Sequence, residues 1–82
     1  MNANSLTNLQ KILAKNVKSR RKALGLSQER LALDAEIDRT YISQIERGIS
    51  NPSLLVLVKI ADRLDSEVVT LLSVLPDRHP QT

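Results

Sequence analysis

Arg39, Thr40, Ser43 and Gln44 are the residues of this chain best suited to act on a partner. Ile42 and Ile45 fall among them at a spacing that puts both on one face of a helix. With the isoleucines turned inward, the four polar side chains lie on the other side. Each suits a base edge in a DNA major groove. An arginine there can fork onto guanine O6 and N7, worth about 1–3 kcal/mol of discrimination, and a glutamine can pair bidentately with adenine. The Thr40 methyl can meet a thymine methyl, or its hydroxyl a phosphate. Without its surroundings Arg39 reads as an ordinary surface arginine paired with Asp38 or Glu36. Ser43 and Gln44 likewise fit a solvated helix face. Tyr41 fits a packing residue, or a phosphate contact through its hydroxyl, better than a stacking platform.

Those side chains need a braced helix. Ser27 is a good N-cap and Glu29 complements the dipole of a second helix running to Asp34 or Ala35. Asp38 caps a third helix that ends at Gly48. Residues 27–48 are therefore two short amphipathic helices joined by a tight turn, the spacing of a helix-turn-helix. In that motif the first helix braces the second, and their crossing needs a small side chain, which Ala32 provides. Leu31, Ile37, Ile42 and Ile45 supply the shared core.

Upstream, Leu6, Leu9, Leu13, Val17 and Leu24, with Ile12 and Ala14 alongside, predict a helix from residue 6 to Leu24, stopped by Gly25. At 1.5 Å per residue it is about 28 Å long, more than a minimal bundle needs. Downstream, Ile49-Ser50-Asn51-Pro52 is turn chemistry. Pro52 or Ser53 opens a fourth helix with Leu54, Leu57, Val58, Ile60, Ala61 and Leu64 apolar. Ser66 is expected to cap a fifth, from Glu67 to about Val74. Residues 1–5 are expected to be flexible, and residues 76–82, with two prolines and no periodicity, to form a disordered tail. The fold class is all-α, one domain over residues 6–75, with no internal repeat.

Composition removes several function classes. The chain has 82 residues, no Cys, Phe or Trp, and one Tyr, so its core is aliphatic and disulfides, zinc fingers and thiol chemistry are excluded. With one histidine, His79 in the tail, no metal site is expected. No apolar run approaches the roughly 20 residues of a membrane span, and the N-terminus lacks a secretory segment, so a cytoplasmic protein is expected. Net charge is +3, but residues 1–26 carry six bases and no acid. That is either a solvated helix face or the footprint of a polyanion partner. Lys18 and Arg20 to Lys22 would add salt-dependent attraction to a phosphate backbone.

Gly25-Leu-Ser-Gln28 before the paired helices, with Pro52-Ser-Leu54 and Lys59-Ile-Ala61 after them, resembles the lambda-repressor-like (Xre, Cro/C1-type) transcriptional regulators. The resemblance covers about residues 8–75. It implies a five-helix DNA-binding domain with Arg39, Thr40 and Gln44 reading bases and Ser43 close by. It implies that Gln28 touches a phosphate and supports the reading helix. Arg21 and Glu46 match an ion pair tying the first helix to the end of the third. Arg47, Ser50 and Asn51 stand where the following loop would meet the backbone, with Tyr41 and Lys18 as further phosphate contacts. One departure is Glu36, at a turn position the family usually fills with Gly. A left-handed glutamate costs about a kcal/mol relative to Gly.

The implied function is a sequence-specific double-stranded-DNA-binding regulator. A domain this small reads one half-site, so a homodimer on a pseudo-palindromic operator is expected, its reading helices about 34 Å apart. The surplus apolar residues of the fifth helix, Val68, Leu71, Leu72 and Leu75 among them, are the expected dimer interface. The stretch from Asp38 to Glu46 is similar to the controller proteins of restriction-modification systems. Phage-type repressors and antitoxin-type autoregulators are rivals within the class, and a helical protein–protein adaptor is the reading from another class. No enzyme, cofactor or small-molecule ligand is expected.

Overall fold

The computed structural model describes residues 5–74. Five helices follow one another: α1 (Leu6–Ala23), α2 (Gln28–Ala35), α3 (Arg39–Glu46), α4 (Leu54–Arg63) and α5 (Val68–Leu71). No strand occurs among the described residues. Local side-chain chemistry sets the first four starts. Ser5, Ser27 and Ser53 accept through Oγ from the amides of Asn8 (3.2 Å), Arg30 (2.9 Å) and Val56 (3.2 Å), and Asp38 Oδ1 accepts from Thr40 (2.8 Å). Each satisfies a donor the helix itself leaves unpaired.

The ends of α1 to α4 share one closure. Gly25, Glu36, Gly48 and Asp65 all have positive φ. The residue after each reaches back five positions: Leu26 to the Arg21 carbonyl (3.0 Å), Ile37 to Ala32 (2.9 Å), Ile49 to Gln44 (3.2 Å) and Ser66 to Ala61 (2.9 Å). These are Schellman closures, which need a left-handed residue. Glu36 takes that conformation with φ 59° and ψ 48°, so the turn keeps its geometry without a glycine and carries the strain of a Cβ there. The same closure corrects the expected start of the fifth helix. The Ser66 amide belongs to the end of α4, so Ser66 caps nothing; Glu67 is the N-cap residue of a single-turn α5 and makes no side-chain cap bond.

Leu13, Val17, Leu31, Ala32, Ile42, Ile45, Leu57, Ile60, Ala61, Leu64 and Leu71 form the core, with Leu26, Ile37, Tyr41, Val56, Val68 and Leu72 packed around it. The aliphatic periodicity is right in the middle of α1 and wrong at its ends, where Leu6 and Leu24 are exposed. Leu54 and Val58 also point outward, because the face of α4 that meets α2 and α5 carries Leu57, Ile60, Ala61 and Leu64.

The expected dimer interface needs correction for the same reason. Leu71 is only 2% exposed, and Val68 and Leu72 pack against the core, so these three close the monomer. Asn16 on α1 turns α5 inward: its Nδ2 donates to the carbonyls of Leu71 (2.9 Å), Ser73 (2.7 Å) and Thr70 (3.4 Å). Leu75, the fourth residue of that set, lies outside the described residues, as do residues 1–4 and the tail with His79. Val69 and Val74 are the apolar side chains that this segment leaves in solvent.

Candidate nucleic-acid interface

Helix α3 is held on two sides and free on the third. It packs against α1 and α2 through Ile42 and Ile45, both essentially inaccessible. That seating turns Arg39, Thr40 and Gln44 into solvent and leaves Ser43 half-buried at the edge of the same face. All four residues singled out by spacing therefore share one accessible strip. Arg39 pairs with neither Asp38 nor Glu36; the Asp38 carboxylate is engaged in capping, and no ion pair holds Arg39 among the described residues. Tyr41 is half-buried and packs against the core, which supports its role as a packing residue.

The C-terminal end of α3 is fastened by a buried charge network. Arg21 Nε donates to Glu46 Oε2 at 2.6 Å and its Nη2 to Oε1 at 3.0 Å, a bidentate pair. The remaining Nη1 donates to the Leu26 carbonyl at 2.7 Å, and Gln28 Nε2 donates to Glu46 Oε1 at 3.1 Å. The two charged side chains are 10% and 3% exposed. Burial alone would raise the Glu46 carboxyl. Hydrogen bonds from Arg21 and Gln28, with the nearby charges of Arg21 and Lys18, outweigh it and hold the group below the ordinary carboxylate value. The hydrogen bond to Glu46 raises the Arg21 guanidinium in turn, against its own desolvation. One network thus joins α1, the first residue of α2 and the last residue of α3. It fixes the strip relative to the N-terminus of α2, where Ser27 Oγ accepts from the Arg30 amide. Gln28 enters as a brace: its carboxamide nitrogen is held by Glu46.

The loop after α3 is anchored from α1. Gln10 Nε2 donates to the Ser50 carbonyl at 2.7 Å, and Gly48 lies 3.7 Å (from its ideal Cβ position) from the Gln10 carbonyl. Ser50 is consequently buried, its Oγ without a protein partner. This corrects its expected role: a hydroxyl enclosed beneath α1 is unavailable to a phosphate. Arg47 and Asn51, on either side, are exposed, and so is Lys18. Arg20 also departs from expectation. Its Nε donates to the Leu64 carbonyl at 2.8 Å and its Nη2 to that of Asp65 at 3.3 Å, so it closes the end of α4.

Gln10, Asn16 and Arg20 are the positioning residues that spacing alone did not single out. Asn16 carried a legible signal, a polar residue flanked by the core positions Leu13 and Val17. Its partners, carbonyls more than fifty positions away, carried none. Among the described residues no His, Cys, Asp and Glu are grouped to hold a metal ion, and no helix is long and apolar enough to cross a membrane.

The braced pair of helices has counterparts. The family model HTH_3, described as helix-turn-helix, matches residues 17–71. The chain belongs to that family. This helix-turn-helix chain is 42% identical over 65 residues to control protein C.SmaI of Serratia marcescens, a match covering 79% of this chain and 77% of that one. Its fold is similar to the restriction-modification controller protein C.AhdI from Aeromonas hydrophila, with a TM-score of 0.72 and 39% identity over 76% of this chain and 94% of that one. It is equally similar to SinR, the master regulator for biofilm formation, solved in complex with DNA: TM-score 0.72 and 39% identity, covering 74% of this chain and 98% of that one.

Proposed function

We propose that the chain is a sequence-specific, double-stranded-DNA-binding transcriptional regulator, acting in the cytoplasm as a homodimer on a pseudo-palindromic operator and controlling a restriction-modification system. The observation that carries this is the exposed strip of α3: Arg39, Thr40 and Gln44 stand free on a helix whose orientation is fixed by a buried ion pair. Arg39, at the first turn, forks onto a guanine; Gln44, about a turn further, pairs with an adenine; Thr40 and Ser43 fill the space between. Phosphates meet the N-terminal amides of α2, and Arg47, Asn51 and Lys18 beside the groove. Kinship with the control proteins C.SmaI and C.AhdI supports the controller assignment.

Dimerisation supplies the second half-site. Leu55, Val58 and Val69 are each more than half exposed, and Val58 and Val69 line one shallow groove between α4 and α5 with Ala61 and Val68, rimmed by Asp62, Ser66 and Glu67. Exposed apolar side chains of this kind on a small chain mark an interface, and this groove, which keeps Val68 and leaves out the buried Leu71, is the contact surface we assign.

In vitro selection from random duplexes tests the function. A two-fold symmetric consensus is expected, with half-sites about one helical turn apart and binding that weakens steeply with salt. Binding without sequence preference, or none, would favour a helical adaptor. An adjoining methyltransferase and endonuclease distinguishes a controller from a phage-type repressor or an antitoxin-type autoregulator.

A further inference from the structure

The structure divides the six bases of residues 1–26 into two kinds. Arg20 and Arg21 are committed to internal contacts, with the α4 end and with Glu46. Lys11, Lys15, Lys18 and Lys22 are all exposed, and no ion pair engages any of them among the described residues. Their spacings of four, three and four residues set them within about 60° of one another on α1, at 3.6 residues per turn. They form a single ridge about 16 Å long.

The ridge lies beside the end of α3 and the loop that follows it. Ala14, whose Cβ lies 3.8 Å from the ideal Cβ position of Gly48, marks the flank of α1 that meets the loop after α3. The lysines stand about 40–100° around the helix from Ala14. Lys18 is near enough to Glu46 to help hold its carboxyl down. The ridge therefore passes the C-terminal end of α3 near Lys18, with Lys22 on one side of that point and Lys15 and Lys11 on the other.

We propose that this lysine ridge is a phosphate track, which carries the DNA backbone flanking each half-site and lengthens the bound duplex beyond what α3 reads. The proposal rests on the DNA-binding reading above and adds a second contact surface to it. The dimensions agree: phosphates on one strand advance about 3.4 Å along the duplex axis, so 16 Å of ridge spans four or five of them. The contacts are to backbone alone, so they add affinity and salt dependence without adding sequence preference.

The test removes Lys11, Lys15 and Lys22 together by substitution with Gln, leaving Lys18 because it also faces Glu46. Gln preserves helix propensity at these exposed sites, which circular dichroism checks. A control, Lys59→Gln with Arg63→Gln, removes cations from α4. Each protein is titrated with the duplex selected in vitro, in one form ending at the half-site edge and in another extending one helical turn further. If each lysine meets one phosphate, the triple variant's salt slope falls by about 2.7 per protomer. Between 50 and 200 mM salt the wild type then loses about 40-fold more affinity per protomer than the variant. The wild type prefers the longer duplex; the triple variant does not, and its consensus is unchanged. A wild-type slope and length preference in the triple variant overturn the track while leaving the regulator reading intact. An equal loss per cation removed in the α4 control overturns it too, by making net charge the cause. A wild-type protein that selects no duplex removes both readings.

Discussion

Replacing Glu46 by Ala should cost a large part of this protein's stability. The carboxylate is nearly inaccessible and accepts from Arg21 at 2.6 and 3.0 Å and from Gln28 at 3.1 Å. Attraction at such separations, with an effective dielectric near 20, is about 5 kcal/mol before desolvation is counted. The intact pair therefore contributes far less than that, but removing one partner strands a buried charge and typically costs about 3–5 kcal/mol. Arg21 keeps its bond to the Leu26 carbonyl at 2.7 Å, so the lower end, about 3 kcal/mol, is expected. A chain of 82 residues has roughly 4–12 kcal/mol in all. Urea unfolding followed by circular dichroism measures the change. Arg21→Met with Glu46→Leu should recover most of it, because two apolar side chains leave no charge uncompensated. The carboxyl's lowered value adds a signature. A carboxylate depressed in the folded state contributes stability that is fully present above its unfolded value, near 4.3, and lost as pH falls through the folded value. Wild type should therefore weaken below about pH 4.3 more than the double variant does. A loss under about 1 kcal/mol for Glu46→Ala, or no coupling in the cycle, would refute the reasoning.

Glu36→Gly should raise stability by about 0.5–1 kcal/mol, since glycine relieves a left-handed Cβ at φ 59° and gives back part of the gain as unfolded-state entropy. An unchanged or lower melting temperature would count against strain in this turn. Arg39→Ala should remove about 1–3 kcal/mol of discrimination at one base pair of each half-site, leaving helicity and the other positions unchanged. Titration against single-base operator variants reads this directly. Val69→Asp should lower the mass seen by sedimentation equilibrium without loss of helix, because Val69 is 67% exposed and lies outside the core. A mass that stays dimeric places the interface elsewhere.

The sequence by itself determined the first four helices and the exposed strip of α3, because both rest on short-range rules. Ser27, Asp38 and Ser53 cap the amides of residues two or three positions on, and Ile42 with Ile45 orients α3 whatever its partners are. The Arg21–Glu46 pair was legible too, though through family resemblance rather than spacing. Tertiary structure decided what those rules cannot reach. Whether Leu71 meets solvent or core depends on Asn16, which holds a helix too short for its own periodicity to show a face. Position after α3 puts Ser50 where the loop would meet a DNA backbone, but Gln10 draws that loop beneath α1. Arg20 and Lys22 are alike in charge and two positions apart, and only packing makes one a structural clamp and leaves the other free. A helix dictates which residues share a face. Which faces are covered depends on contacts with distant parts of the chain, and those require the fold.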